Sequence, residues 1–334
     1  MADLASEILE ALTAVARNNV DPAIEITGLG RLSGGASQET WAFKTTVGDT
    51  TEELILRRSH DGGASHPAPM HITLETEAKI MALAADAGVL VPRVRYVLKP
   101  EDELGSGFIM DFIEGETIAR KVLRDDAYAD ARPKLAYQCG QAAAKVHTIP
   151  IDKMPELDRM PAGPQLAQYK ANYDSYDYPH PVFELAFRWL EDRLPDTHTH
   201  SVVHGDFRHG NVIIGTDGLR AVLDWELAHA GDPMEDLGWI CVNSWRFGHI
   251  DNPVGGFGSR EDLFAGYEAA GGVKVDPQRV KFWETFGSLR WGIMCMSMYN
   301  AFKNGPDPSV ERATIGRRSS EAELDLMNLI AGSA

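Results

Sequence analysis

Three oxygen-bearing side chains stand close together within residues 201–226. Asp206 and Asn211 are five residues apart in a loop, and Asp224 comes at the end of the second of two short strands. A hairpin of those strands would return Asp224 beside Asn211. Carboxylate and amide oxygens suit Mg²⁺, and a carboxylate outside the metal site can accept a hydroxyl proton. We therefore expect Asn211 and Asp224 to hold a metal, with Asp206 left for a substrate.

The same segment resembles the catalytic loop of protein kinases, H-[RG]-D-x-x-x-x-N, followed by their metal-binding Asp. The form His204-Gly205-Asp206 is typical of the aminoglycoside phosphotransferase-like kinases. Residues 231–238 (GDPMEDLG) are similar to the G-D-P-x-x-D-L tract of that family, and we interpret them as structural. The resemblance continues in order from Leu29 to Gly238.

This resemblance implies a phosphotransferase that uses ATP and Mg²⁺. Asp206 would orient a substrate hydroxyl and accept its proton while the γ-phosphoryl group transfers in line. Arg208 stands where several protein kinases place a lysine, so it would neutralise charge that develops on the transferred group. His204 would brace the loop by hydrogen bonding, because phosphoryl transfer needs positioning more than a proton carrier.

A glycine-rich tip at residues 33–37 is the first candidate contact for the nucleotide. The backbone N–H groups of Gly34, Gly35 and Ser37 could approach phosphates without a Cβ in the way. Residues 28–33 (GLGRLS) come close to the dinucleotide pattern GxGxxG. Ser33 stands where the pattern requires its third glycine, and a strand rather than a helix is predicted next. Both observations argue against an oxidoreductase.

Arg57 occupies the place of the lysine that, in the kinase family, links the phosphates to a helix glutamate. We predict Glu77 as its partner. Arginine keeps its charge and binds phosphate bidentately, but it is not equivalent to lysine. The resemblance also places residues 110–113 at the interlobe hinge, which implies that the Asp111 carbonyl and the Ile113 amide contact the purine edge.

Two alternatives from other classes stay open. Arg57 in place of lysine suggests a nucleotide-binding pseudokinase without transferase activity, although a complete set of base and metal ligands opposes this. A histidine-rich cluster suggests instead a metal-dependent hydrolase, since its H-x-D-x-x-H portion could bind zinc. That cluster consists of His198, His200, His204, Asp206 and His209. The hydrolase would leave the predicted Mg²⁺ ligands and the glycine-rich tip unexplained.

The phosphoryl acceptor is less defined than the chemistry. Members of the resembled family act on aminoglycosides, macrolides, choline, sugars and homoserine, so an alcohol is what they share. Residues 286–295 and 315–318 resemble the branch related to kinase-like domains found with acyl-CoA dehydrogenases, which implies hydroxyacyl-CoA acceptors. Arg290, Arg317 and Arg318 could pair with an acidic coenzyme A, although such arginines are more often surface or structural partners. An aminoglycoside-like alcohol is the other candidate.

The composition of the chain limits the classes of partner that it can bind. The chain of 334 residues has a formal net charge of −17 and no evident basic patch, so we expect neither nucleic acid nor membrane as a partner. Its three cysteines are far apart and odd in number, which indicates free thiols. The amino terminus does not resemble a signal peptide, and we expect a cytoplasmic protein. No sequence signal indicates an oligomeric state.

A two-lobe α+β fold, like that of the protein kinases, would position these residues. We predict a first lobe at 1–111, in which an antiparallel sheet packs with one main helix at 72–87. Its strands are expected at 24–31, 39–47, 53–58, 94–98 and 107–112. The second lobe, 112–334, is predicted to be mostly helical with short strands at 212–214 and 221–223. Residues 150–181, rich in proline and tyrosine, are expected to form an irregular insertion. Such an insertion is a common place for substrate contacts, and a packed surface excursion is the equal alternative.

Overall fold

The structure is a computed structural model that describes residues 2–32, 38–59, 72–154, 156–196, 200–305 and 307–332. The chain divides into two compact units. The first comprises residues 1–114 and 220–228, and the second comprises residues 115–219 and 229–334. Residues 220–228 join the first unit because the backbone N–H of Val222 donates to Leu90 O and that of Ile72 donates to Glu226 O. We had expected this segment in the second lobe.

The first unit is built on a five-stranded sheet in which all neighbouring strands are antiparallel. Its strands are β1 (Glu25–Arg31), β2 (Glu39–Val47), β3 (Thr50–Ser59), β4 (Val94–Val97) and β5 (Ser106–Asp111). Their order across the sheet is β1-β2-β3-β5-β4. The predicted strands are therefore present, with bounds that differ by a few residues.

Two helices belong to the first unit, α1 (Ala2–Asn19) and α2 (Leu74–Asp86). On α1, Ile8, Leu12 and Val15 recur at helical spacing and are buried in one cluster with Leu54 and Leu56 of β3. Side chains alternate along a strand, so Arg57 lies on the opposite face of the sheet from Leu56. On that face α2 supplies its buried residues, among them Glu77.

The second unit is mainly helical. Its helices are α3 (Ala119–Arg124), α4 (Arg132–His147), α5 (Ala162–Asp174), α6 (Pro181–Glu191), α7 (Met234–Trp239), α8 (Arg260–Ala269), α9 (Pro277–Asn304), α10 (Val310–Gly316) and α11 (Ser319–Ala331). Its short strands are β6 (Ser201–Val203), β7 (Val212–Gly215) and β9 (His229–Gly231), and β8 (Gly218–Val222) begins in this unit and ends in the first. Strands β6 and β9 pair antiparallel. No helix in the described segments is long and apolar enough to cross a membrane.

The range 150–181, expected to be irregular, contains the 13-residue helix α5. Pro161 precedes this helix, and Pro164 lies within its first turn, where a missing N–H costs nothing. Along α5, Gln165, Leu166 and Tyr173 are buried, and the helix packs on α9 and α6. The prolines therefore mark a helix start, and the expectation of an irregular insertion was wrong for these residues.

Two glycines allow helices α4 and α8 to cross at close range. A Cβ on Gly140 of α4 would come within 2.0 Å of Leu263 O, and one on Gly266 of α8 would come within 2.0 Å of Tyr137 O. Both obstacles are backbone atoms, which cannot rotate away. The backbones therefore touch at this crossing, and any side chain there would push the two helices apart.

We expect Gly140→Ala to lower the free energy of unfolding by about 2 kcal/mol or more, the upper range for overpacking, because the new methyl group meets backbone. Urea denaturation followed by tryptophan fluorescence would measure the change. Gly163→Ala in α5 is the matched control, since the nearest atom to its added Cβ is Leu194 Cδ1 at 3.8 Å. Equal effects of the two substitutions would show that the crossing is looser than described.

Candidate active site

The loop after β6 is held by one buried carboxylate. The backbone N–H groups of His204 and Gly205 donate to Asp236 Oδ2 and Oδ1 at 2.8 and 3.0 Å. His147 Nε2 donates to Asp236 Oδ2 at 3.0 Å. Gly205 has φ of 79°, a left-handed conformation that costs glycine little. Both N–H groups can therefore face the same side chain.

Burial alone would raise the pKa of Asp236. The hydrogen bond and charge interaction with His147, the electrostatic interaction with His204 and the backbone N–H of His204 outweigh burial, and they hold that pKa below its usual value. Asp236 is thus an ionised carboxylate inside the second unit. It anchors the loop as an acceptor.

The carboxylate of Asp206 receives hydrogen bonds from three side chains. Trp239 Nε1 donates to Oδ1 at 2.7 Å, and Asn211 Nδ2 donates to Oδ2 at 2.6 Å. Arg208 Nε lies 3.1 Å from Oδ1 and 3.2 Å from Oδ2. The backbone N–H of Asp206 donates to Nδ1 of the buried His204 at 3.2 Å. The structure thus brings Asp206, Arg208 and Asn211 together, with His204 beside them.

Arg208 also stacks on an indole ring. Its guanidinium carbon lies 4.6 Å from the ring centroid of Trp245, within the range of a cation–π interaction. The side chain of Arg208 is 25% exposed. The guanidinium is therefore oriented by Asp206 and Trp245 while it stays accessible to a ligand.

In the first unit, Arg57 faces three carboxylates. Its Nη2 lies 2.7 Å from Asp224 Oδ1 and 3.6 Å from Glu226 Oε2, and its Nε lies 3.3 Å from Glu77 Oε2. Burial opposes the charge of Arg57, but Glu77, Asp224 and Glu226 together raise its pKa above the usual value. The predicted pair of Arg57 and Glu77 is present as an ion pair. Glu226 was not predicted.

The backbone turns sharply at the residues that carry these acids. Asp224 adopts φ of 66°, in the left-handed region that few non-glycine residues occupy. The next residue, Trp225, is fully buried, and its N–H donates to Glu77 Oε1 at 3.4 Å. Gln38 Nε2 donates to Glu226 Oε2 at 3.2 Å. The turn thus brings Asp224 and Glu226 to the guanidinium of Arg57.

Glu77 is enclosed on helix α2. Burial raises its pKa to about 6, although the positive charge of Arg57 opposes the rise. The side chain is only 1% exposed, so water does not screen the pair of Glu77 with Arg57. Glu77 therefore ionises at a higher pH than an exposed glutamate does.

Comparison with known proteins places the chain in a family. Residues 28–283, more than half of the chain, match the model of the phosphotransferase enzyme family. The chain belongs to the phosphotransferase enzyme family. This confirms the predicted phosphotransferase, and the α+β two-lobe class is confirmed by similarity to solved structures.

Three similar proteins illustrate how far the likeness goes. The phosphotransferase is 26% identical over 314 residues to acyl-CoA dehydrogenase family member 11 of Gallus gallus, which covers 85% of this chain and 39% of that protein. It superposes with a TM-score of 0.74 at 21% identity on a putative aminoglycoside phosphotransferase of Ralstonia eutropha, covering 97% and 98% of the two chains. A spectinomycin phosphotransferase in complex with ADP and spectinomycin superposes with a TM-score of 0.56 at 14% identity, with 96% coverage of each chain. The chain spans well under half the length of the curated relatives it matches.

The structure does not bring together all the residues that were predicted for the site of this phosphotransferase. Gly34, Gly35 and Ser37 lie outside the described residues. Asn211 belongs to the second unit and Asp224 to the first, so their shared metal site stays a prediction. Strand β8 ends at Val222 rather than Leu223, because the chain turns toward the left-handed Asp224.

The predicted hinge residues follow strand β5. The backbone N–H of Asp111 donates to Arg93 O at 3.0 Å, and its carboxylate lies 2.5 Å from Arg95 Nε. Ile113 is half-buried. The contact of the Asp111 carbonyl and the Ile113 amide with a purine stays a prediction.

The arginines considered for coenzyme A have different surroundings. Arg290 is 4% exposed, and its Nη1 lies 3.7 Å from Glu235 Oε1. Arg318 pairs with Glu321 at 2.9 Å and lies over Trp291, whereas Arg317 is exposed. Arg290 is therefore an internal partner of this phosphotransferase, and the expectation that it meets an acidic ligand at the surface loses its support.

The structure also bears on the alternative hydrolase. His209 is buried between Phe247 and Phe257, and its Nδ1 donates to Gly255 O at 2.6 Å. Burial lowers the pKa of His209 to about 4, so the ring is neutral. Among the described residues, no three His, Cys, Asp or Glu side chains are grouped to hold a metal ion, and His198 lies outside them. The three cysteines, as predicted, are free and buried.

Trp239 and Glu226 are among the site residues that escaped prediction from the sequence. Glu226 follows Asp224 by two residues, and that spacing was the available signal. Trp239 follows Asp236 by three residues on helix α7, which places both on one helix face. Nothing in the sequence marks its indole as a partner of Asp206, which lies 33 residues earlier.

The raised pKa of Glu77 predicts a pH dependence of stability. Between about pH 4.5 and 6 the folded state holds more protons than the unfolded state, so Glu77 contributes less to stability as pH rises. We expect the free energy of unfolding of the wild type to fall relative to Glu77→Gln by up to about 2 kcal/mol across this window. Denaturant titrations at pH 4.5, 5.5 and 7 would measure it. Glu75→Gln, exposed on the same helix, should show no such trend; an equal trend in both variants would contradict the assignment.

Proposed function

We propose that this phosphotransferase transfers the γ-phosphoryl group of ATP, with Mg²⁺, to a hydroxyl group of a small molecule. The observation that carries the proposal is the Asp206 carboxylate, which is held by Trp239, Asn211 and Arg208. Three donors hold this carboxylate in one orientation, as a group that accepts a hydroxyl proton requires. The family match and the ADP complex of a structural neighbour support a nucleotide as donor.

In the proposed reaction, the acceptor hydroxyl oxygen bonds to the γ-phosphorus. The bond from that phosphorus to the bridging oxygen of ADP breaks, ADP leaves, and the hydroxyl proton passes to Asp206. Arg208, partly exposed and already oriented on Trp245, neutralises charge on the transferred group. Trp239 and Asn211 keep the carboxylate of Asp206 facing the hydroxyl group.

The charge around Arg57 would favour a divalent cation nearby. Around Arg57 three carboxylates face one guanidinium, which leaves an excess of negative charge. Asn211 uses its Nδ2 on Asp206, so its Oδ1 is the atom available to a cation. Asp224 and Asn211 would hold Mg²⁺, whose charge favours the approach of the triphosphate. Arg57, paired with Glu77, would bind phosphate oxygens with Gly34, Gly35 and Ser37, while the Asp111 carbonyl and the Ile113 amide would bind the purine.

For the acceptor we favour a hydroxyacyl-CoA over an aminoglycoside-like alcohol. The reason is the similarity to acyl-CoA dehydrogenase family member 11 of Gallus gallus over 85% of this chain. The net charge of −17 would suit a polycationic aminoglycoside, but it does not select one, since many proteins are equally acidic. A small-molecule hydroxyl is common to both acceptors.

The proposal predicts saturable, acceptor-dependent release of ADP. A screen with Mg²⁺-ATP would compare short hydroxyacyl-CoAs, aminoglycosides, amino alcohols and sugars, and we expect turnover with the hydroxyacyl-CoAs. Asp206→Asn should lower that turnover by at least about 100-fold, because the proton acceptor is lost. ATP binding, measured by calorimetry, should be unchanged in this variant. Asp251→Asn, exposed in the same unit, serves as the control.

Turnover with none of these acceptor classes, together with ATP binding, would favour the pseudokinase alternative. Wild-type turnover in Asp206→Asn would instead remove Asp206 from its assigned role while leaving the activity itself intact.

The metal assignment predicts a separate effect for Asp224→Asn. Loss of a charged ligand should raise the Mg²⁺ concentration for half-maximal turnover by about tenfold or more, since even changes outside the first coordination sphere cost this much. A Mg²⁺ titration at saturating ATP would measure the shift. Asp49→Asn, exposed in the first unit, is the control, and an unshifted titration in Asp224→Asn would remove this residue from the metal site.

A further inference from the structure

Trp239 is the last residue of helix α7 and is 3% exposed. Its indole Nε1 donates to Asp206 Oδ1 at 2.7 Å, a short hydrogen bond to a charged acceptor. An indole has this single donor and no acceptor, so the bond can form in one direction only. The bond therefore defines where Oδ1 of Asp206 lies.

Packing holds the indole of Trp239 on several sides. The guanidinium carbon of Arg290 lies 4.5 Å from its ring centroid, and the ring of Trp245 meets it edge to face at 5.2 Å. On α9, a Cβ on Gly287 would come within 2.9 Å of Trp239 Cε3, which shows how closely that helix approaches. Arg290 is itself buried and lies near Glu235. The indole therefore cannot turn without moving α9 or Arg290.

The three donors to Asp206 differ in what else the proposed reaction asks of them. Asn211 would also give its Oδ1 to Mg²⁺, and the partly exposed Arg208 would also meet the transferred phosphoryl group. Trp239 has neither task. A buried neutral donor keeps its hydrogen bond whether or not metal and nucleotide are bound, and the cation over its ring polarises the N–H group toward Oδ1.

We propose that Trp239 is a positioning residue that holds the Asp206 carboxylate in its productive orientation through the indole N–H. This inference rests on the proposed function, because it assigns the Asp206 carboxylate as the group that accepts the hydroxyl proton. With Oδ1 held by Trp239, Oδ2 faces Asn211, and the carboxylate cannot rotate about its Cβ–Cγ bond. Trp239 acts through Asp206 and touches no reacting atom.

The chain offers a matched control in Trp283. It is also 3% exposed, and its Nε1 donates to Asp232 Oδ2 at 2.8 Å. Asp232 pairs with Arg279 and has no part in the proposed reaction. Removing either indole N–H takes a buried hydrogen bond from a carboxylate, so the two substitutions should cost similar stability. The site of the lost bond is what distinguishes them.

The test replaces each tryptophan with phenylalanine and, in a second pair of variants, with 3-benzothienylalanine, which keeps the ring shape and has sulfur in place of N–H. For Trp239→Phe and Trp239→3-benzothienylalanine we expect kcat for the accepted substrate to fall about 10- to 100-fold, with KM for ATP unchanged. The Trp283 variants should keep the wild-type kcat at a similarly lowered Tm. Equal kcat values for the wild type and Trp239→3-benzothienylalanine would overturn the proposal.

A measurement independent of turnover separates this inference from the proposed function. In protein labelled with ¹⁵N-tryptophan, the indole signal of Trp239 is identified by its loss in Trp239→Phe. Asp206→Asn weakens the acceptor, so the indole proton of Trp239 should move upfield while that of Trp283 stays in place. An unmoved Trp239 signal overturns the inference. If the Trp239 signal moves as expected in Asp206→Asn, yet the wild type turns over no acceptor, the result counts against the proposed function alone.

Discussion

The buried carboxylate of Asp236 is the point on which the rest of the candidate site depends. It accepts the backbone N–H groups of His204 and Gly205, and it remains ionised because His147 donates to it. Tyr267 contacts the other nitrogen of His147 at 2.8 Å, so helices α4 and α8 both support the contact. The close crossing at Gly140 and Gly266 places these helices. A change in that crossing would therefore reach the loop that carries Asp206.

Helix α7 contacts both the backbone of this loop and the side chain of Asp206. Asp236 and Trp239 are three residues apart and share one face of the helix, so a six-residue element holds both the start of the loop and the side chain of Asp206. The long helix α9 packs against α7 and supplies Arg290 beneath Trp239. The loop after β6 itself needs little regular structure, because α7 and α9 supply its rigidity.

In the first unit, Arg57 pairs with carboxylates at the place where the resembled kinases have a lysine. A lysine offers a single point of charge, whereas the planar guanidinium of Arg57 faces Glu77 through Nε and Asp224 through Nη2. Asp224 is thus paired with Arg57 in the structure, whereas the proposed function would also make the Asp224 carboxylate a ligand of Mg²⁺. If Asp224 binds the metal as proposed, this arrangement would couple metal binding to the orientation of Arg57, since the cation and the guanidinium would compete for one carboxylate.

The sequence alone determined the family, the fold class and the local cluster of Asp206, Arg208 and Asn211, because these depend on short spacings within one loop. It also identified Arg57 with Glu77, because the resemblance to the kinase family implies a basic residue on the third strand and a glutamate partner on the helix that follows it. The range 150–181 was misjudged because its prolines mark a helix start as readily as a loop. Tertiary structure alone decided that Glu226 joins Arg57, that Arg290 is internal and that Trp239 holds Asp206. These contacts join side chains far apart in the chain, and their direction depends on how helices pack, which no local pattern encodes.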